Sequence, residues 1–455
     1  MVWSWQRWSA CGVVGGLALL SFPLVSLAKL PALPQPGNWI QQTGTVDDEL
    51  ALAVTTSAGA IYVAGYTNGE LGEEASAGGH DAFVAKYDAS GALLWTRQLG
   101  TTAHDRAQAV SADAFGNVYV AGYTWGSFGY YVNAGGTDQF VAKYDAAGTL
   151  QWVRQFGTAT DDFATGVAAT RQEGQDAVFV AGYSLGRFDG TAPQGHYDVV
   201  VAKFDTGGNP YWLRQFGSSR SDVALGVAVS PSEDVYVTGY TYGSMDGVTS
   251  PGSTVDLFLA KYSVQGEARW VRQLGSTSDE FGTGVAVAAD GGVYVSGYTS
   301  GALDGNVRVG TYDAVLVKYD TEGNRHWTRQ LGTTTTDYAQ AVAVGADGRI
   351  HLAGFTSGSL GGADSLGGTD LFLATYDSRG TWLELRQVGS PTTDRGQGVA
   401  TAEDGAVYLV GYTWGQVSSS PSAGGYDTVL FRFMDGLDGP QSPEPWSPRG
   451  QFKVP

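Results

Sequence analysis

Seven near-copies of one phrase constrain this chain more than any other feature it carries. The phrase is "GNVYVAGYTWG" at residues 116–126, and the Gly before its Tyr recurs as Gly65, Gly122, Gly182, Gly239, Gly297, Gly354 and Gly411. The spacings are 57, 60, 57, 58, 57 and 57 residues. A unit of that period cannot bury an apolar face alone, so the copies must pack against one another.

Three further landmarks keep phase with the first. An Asp opens an apolar strand of the type "DQFVAKYD" at Asp81, Asp138, Asp198, Asp256, Asp313, Asp370 and Asp427. The phrase "WVRQFG" places a Trp at Trp39, Trp95, Trp152, Trp212, Trp270 and Trp327; in the seventh copy Glu384 takes that position and Trp382 lies two residues earlier, on the same strand face. An acid opening strands of the type "DRAQAV" is read at Asp48, Asp105, Asp162, Asp222, Asp279, Asp337 and Asp394. Turns such as "DAFGN" and "DAAGT" separate the apolar runs, Asp accepting backbone hydrogen bonds and Gly taking the left-handed geometry.

Each copy therefore reads as four short strands, a to d, and the fold class is all-β: a seven-bladed β-propeller of four-stranded antiparallel blades. Strand d occurs once ahead of any other, at "NWIQQTG" (residues 38–44), and the last copy stops after strand c near Met434. The N-terminal strand is thus expected to close the last blade and leave no open edge.

The run "D-x-A-x-A-V-x-x-D-A-x-G-N-V-Y-V-A-G-Y-T" followed by "GG-x-D-x-F-V-A-K-Y-D" resembles the bacterial SBBP β-propeller repeat over about residues 38–434. The resemblance implies seven blades and export, and no activity. The chain departs from that pattern at "TWGSFG", where the family more often has Asp-Phe-Pro, and at Arg432 and Phe433, which replace Lys and Tyr.

Residues 1–28 carry one charge, Arg7, then an uncharged stretch ending in Ser26-Leu27-Ala28, and read as a signal peptide cleaved after Ala28. An uncleaved anchor is the competing reading, weakened by Gly15, Gly16 and Pro23. Residues 29–37 read as a linker, 38–435 as the propeller and 436–455 as a Pro-rich tail. Cys11 is the single cysteine, so the mature chain would have no disulfide, thiol nucleophile or cysteine-ligated zinc. A net charge of −19 argues against a nucleic-acid partner. The expected location is secreted, periplasmic or cell-surface, and the expected state a monomer with no membrane span after cleavage.

A ring of like units makes repeated residues structural and unrepeated ones informative. The acids opening strands a and c form a candidate rim for Ca²⁺ or a cationic ligand, set against simple turn capping; no Asp-x-Asp-x-Asp-Gly loop accompanies them. No other cofactor is expected. The Trp and Arg of strand d, with Lys143 and its equivalents, read as packing between blades.

The symmetry is broken after "GYT", at Trp125, Trp414 and Tyr242, with Tyr130 and Tyr131 in the loop of Trp125. Blades two and seven flank blade one, whose loop carries Glu70, Glu73 and Glu74, so these residues together form a candidate site for a glycan, peptide or protein. His80, His104 and His196 lie in long loops and carry the alternative reading of a propeller hydrolase or lyase. A purely structural envelope protein is the third reading.

Overall fold

The computed structural model describes residues 37–72, 74–170, 176–188, 195–245, 255–418 and 422–434. The expected signal peptide, all but the last residue of the expected linker, and the tail 436–455 lie outside them, as does Glu73. Seven sheets of four antiparallel strands account for nearly all the regular structure, with one 3-10 turn at Leu360–Gly362 among the described residues. The first strands of successive blades pack side by side around the ring, and the first strand of blade seven, β26 (Asp394–Thr401), packs on that of blade one, β2 (Glu49–Ser57).

Blade seven is made from both ends of the described chain. β1 (Trp39–Thr43) lies antiparallel on β28 (Asp427–Met434), with Trp39 opposite Arg432 and Thr43 opposite Thr428. Gln42 of β1 also donates to Asp427 at 2.7 Å, the bond that strand d makes to strand c in every other blade.

The repeated Gly of "GYT" has a steric cause. Strand a bulges opposite it in every blade, between Ala107 and Ala109 in blade two, and its backbone crosses close over the Gly. A Cβ at Gly122 would collide with the Arg106 carbonyl oxygen, and equivalent collisions occur at the other six glycines. Only Gly tolerates this approach.

Every blade but the sixth places a fully buried aromatic of strand b, such as Tyr119, beneath the strand-d Trp; the Tyr119 and Trp152 rings are 6.2 Å apart. Lys143 lies over Tyr119 at 5.3 Å, and Trp152 Nε1 donates across the blade junction to the Thr206 carbonyl at 3.0 Å. Arg154 stacks on Trp152 and donates to the Gly208 carbonyl at 2.7 Å. The Trp–Arg–Lys ladder is thus packing between blades, apolar stems buried and charges capping the neighbour's turn. Blade six replaces the set together: His351 stands for the Tyr, Thr375 for the Lys and Glu384 for the Trp, in cross-strand register. His351 Nδ1 and Thr375 Oγ1 are 3.1 Å apart, and Glu384 pairs with Arg386 at 2.7 Å.

Candidate functional site

The long b–c and d–a loops share one face of the ring. In blade one the His80 carbonyl accepts from Asp105 N at 2.7 Å, and the His104 carbonyl from Trp125 N at 3.0 Å, which knits neighbouring loops together. The repeated apolar residue of the b–c loop is buried beneath it as a plug in five blades, as Leu71, Phe128, Met245, Leu303 and Leu360, and is half-buried as Phe188 and Val417 in the other two.

The acids beneath this face are sevenfold structural elements. The c-strand Asp of each blade accepts from a strand-d Gln, at distances from 2.6 Å for Asp256 to 3.5 Å for Asp198. The Oε1 of that Gln in turn accepts the plug residue's backbone N–H, as Gln155 does from Phe128 at 2.9 Å. The a-strand acid accepts from the residue four positions earlier and from the hydroxyl that ends strand b.

That bonding corrects two assignments. In blades one and five the position belongs to Glu49 and Glu280, not Asp48 and Asp279: Glu49 takes the bonds from Thr45 and Thr67, and Glu280 those from Ser276 and Thr299. Displaced by one residue, Asp48 and Asp279 sit on the loop surface, where each accepts a backbone N–H, from Tyr426 and Val255 respectively.

Each a-strand acid faces the c-strand Asp of the preceding blade across a strand-d Gly, as Asp162 and Asp138 do at Gly157. Burial, and then the facing carboxylate, hold the pKa of Glu49, Asp105, Asp162, Asp222, Glu280, Asp337 and Asp394 above the ordinary carboxylate value despite their hydrogen bonds. Among the described residues no three His, Cys, Asp or Glu side chains are grouped to hold a metal ion.

Above this layer runs an aromatic rim on the inner strands. The ring of "GYT" in one blade meets the second residue of strand a in the next: Tyr123 against Phe163 at 4.8 Å, Tyr240 against Phe281 at 5.0 Å, Tyr298 against Tyr338 at 4.6 Å. At two junctions a guanidinium replaces the apolar partner. Arg106 lies over Tyr66 at 4.5 Å, and Arg395 over Phe355 at 5.0 Å.

The structure gathers His80, His104, Arg106, Tyr66 and Trp125 into one cluster. The His80 ring stacks on Tyr66 at 5.0 Å and meets His104 edge-on at 4.4 Å, while His104 meets Trp125 at 5.8 Å. Arg106 donates to His80 Nδ1 at 2.9 Å and also lies over Trp125 at 5.9 Å. Burial, then Arg106 and His104, push His80 down to a pKa of about 4, so it is neutral with its proton on Nε2. His196 lies two blades from His80, at the start of the blade-three c strand, and does not join this cluster.

The other sequence-selected residues are spread over the same face. Trp414 packs its ring on Tyr426 at 4.8 Å and keeps 50% of its surface exposed; Trp125 keeps 41%. Tyr242 lies 6.0 Å from Tyr240 and is also exposed. Tyr130 projects wholly into solvent, while Tyr131 turns back toward the blade-two core. Glu74 is engaged outward, accepting from Gln98 N at 2.6 Å and lying 3.8 Å from Arg97.

The sequence profile of the SBBP β-propeller repeat matches residues 94–129 and 269–303. Two stretches of the chain thus match the SBBP repeat, and both lie within a seven-bladed propeller. Both matches begin in strand d of one blade and end in the b–c loop of the next, so an SBBP unit straddles a blade junction.

The chain is 22% identical over 436 residues to an uncharacterized WD repeat-containing protein, L264, of Acanthamoeba polyphaga mimivirus, covering 70% of this chain and 31% of that one. It is 27% identical over 285 residues to the regulatory protein FlaEY of Caulobacter vibrioides, covering 56% and 30%. The chain therefore spans under a third of the length of these curated relatives.

Among solved structures, the Pan2 WD40 domain of Neurospora crassa aligns with a TM-score of 0.48 at 7% identity, over 84% of this chain and 88% of that one. The gluconolactonase XC5397 of Xanthomonas campestris aligns at 0.35 and 11% identity, over 65% and 81%.

The guanidiniums of the rim escaped sequence reasoning. Their signal was the residue after the strand-a acid, which reads Leu50, Arg106, Phe163, Val223, Phe281, Tyr338 and Arg395 once Glu49 and Glu280 set the register.

Proposed function

We propose that this propeller is an exported binding scaffold that takes its ligand on the long-loop face, over blades seven, one and two. The observation that carries the reading is the pair of exposed indoles, Trp125 and Trp414, at the same position of the two blades that flank blade one. Elsewhere on this face the repeated residues are committed to plugs and latches; these two indoles are large, rigid and half in solvent, as anchors of a binding surface are. Export rests on the character of residues 1–28. Among the described residues no helix is long and apolar enough to cross a membrane.

The test is capture from glycan and protein panels by the secreted chain, with and without Ca²⁺, beside the Trp125→Ala and Trp414→Ala variants. Retention of a ligand that both variants lose supports the reading. Unchanged capture by both removes the loop face from it and favours a structural envelope role, while turnover lost on joint substitution of His80 and His104 supports the catalytic alternative. N-terminal sequencing of the secreted form should begin at Lys29.

A further inference from the structure

Arg106 and Arg395 occupy the same place in the repeat as Leu50, Phe163, Val223, Phe281 and Tyr338, and they stand in the same two blades as Trp125 and Trp414. Blades two and seven thus each carry an Arg/Trp station, and no other blade carries either residue at those positions. Tyr66 and Tyr412 lie between the stations: Arg106 covers Tyr66, Arg395 stands opposite Tyr412 in the strand pair, and Tyr412 is close enough to Tyr66 to help raise its pKa.

Among the described residues neither guanidinium forms an ion pair with a carboxylate, in a chain whose net charge is −19. Arg106 uses Nε on His80, and Arg395 is exposed over Phe355. Asp48, one of two carboxylates whose charge reaches His80, has one oxygen committed to the Tyr426 N–H at 2.9 Å. Unsatisfied guanidinium donors beside an aromatic face are set up to take a carboxylate in a fork-to-fork contact.

We infer that the site binds an acidic polysaccharide, with a uronate carboxylate on each of Arg106 and Arg395 and the adjoining sugar faces against Trp125 and Trp414. This inference rests on the binding reading above and narrows its ligand. Two equivalent stations on either side of blade one suit a ligand that itself repeats charge and flat apolar face, as a polyuronate does. An acidic peptide supplies the charge without a regular ring to cover the indoles.

The experiment is calorimetric titration of the full secreted chain with oligogalacturonate, a neutral cello-oligosaccharide and poly-glutamate. Oligogalacturonate should bind, more weakly as salt rises, while the other two bind at least about tenfold less well. Arg395→Gln should weaken oligogalacturonate about tenfold or more with an unchanged melting temperature, since that side chain is exposed. Arg106→Lys keeps the charge but loses the planar fork, and should weaken it similarly.

Equal binding of the neutral oligosaccharide, tighter binding of poly-glutamate, or no effect of Arg395→Gln would overturn the inference. Capture of a protein partner through Trp125 and Trp414 with no oligogalacturonate binding would overturn it too, and leave the binding scaffold standing.

Discussion

The carboxylate latches and the rim of the loop face come from the same seven blades and stack directly over one another, yet they follow opposite rules. In every blade a Gln of strand d donates to the Asp of strand c, with Gln42 of β1 filling the role for blade seven, and that Asp faces the strand-a acid of the next blade across the junction. At the rim the residue after the strand-a acid runs through Leu, Arg, Phe, Val, Phe, Tyr and Arg. Groups that join blades must repeat because every junction has the same geometry. Groups that meet a ligand must differ, because the ligand does not share the ring's symmetry. The contrast separates residues that hold the ring from residues that use it.

The sharpest way to break the contrast is to remove the strand both halves depend on. Deleting residues 38–44 exposes the β28 edge and strips Asp427 of Gln42, so the chain should lose its single cooperative melting transition and aggregate on heating. A transition like that of the intact chain, seen by calorimetry, would contradict this.

Gln155→Ala comes next. It leaves Asp138, the Gly126 carbonyl and the Phe128 N–H without their partner, and should cost about 2–4 kcal/mol in chemical denaturation. Ligand capture by the folded fraction should survive.

The pH dependence sharpens the comparison from the latch side. The seven a-strand acids have folded pKa values raised by burial, so the stability they contribute is fully present below the unfolded value and is lost as pH rises through the folded one. The melting temperature should therefore climb as pH falls from neutrality toward the ordinary carboxylate value of about 4. Asp105→Asn should flatten that slope by one junction's share. The turn acids Asp88, Asp145, Asp205, Asp320 and Asp377 have values lowered by the turn hydrogen bonds they accept and the opposite sign, so they set the limit at strongly acidic pH.

The smallest expected effect is on the rim. Trp125→Ala should change unfolding free energy by less than about 1 kcal/mol, because the ring is exposed and its contacts lie on the loop surface. A larger loss would make Trp125 a packing residue and end its separation from the latch.

The blades were legible in the sequence because Gly, Asp and Trp recur at fixed offsets, and each has one physical task. The register of the a-strand acid was legible in five copies and displaced by one in two, since Asp48 and Asp279 immediately precede Glu49 and Glu280 and the longer side chain reaches the same donors. The indoles were found because each stands out within its own copy of the phrase. The meeting of His80 with Arg106, or of Arg395 with Phe355, was not legible: it crosses a blade junction, and which residues two neighbouring blades share follows only from how the blades turn about the ring. Glu74 failed to join Trp125 for a related reason, its loop carrying it outward to Arg97.

The mixed origin of blade seven also brings two residues far apart in the chain to one place on the ring. β1 runs toward the loop face, so Asn38 lies at the opposite face, and there Asn38 Oδ1 accepts the backbone N–H of Met434 at 2.8 Å. The described chain enters and leaves the ring at one point, on the side away from the indoles and guanidiniums. A short label placed beside Asn38 or Met434 would therefore stand on the face opposite the loops.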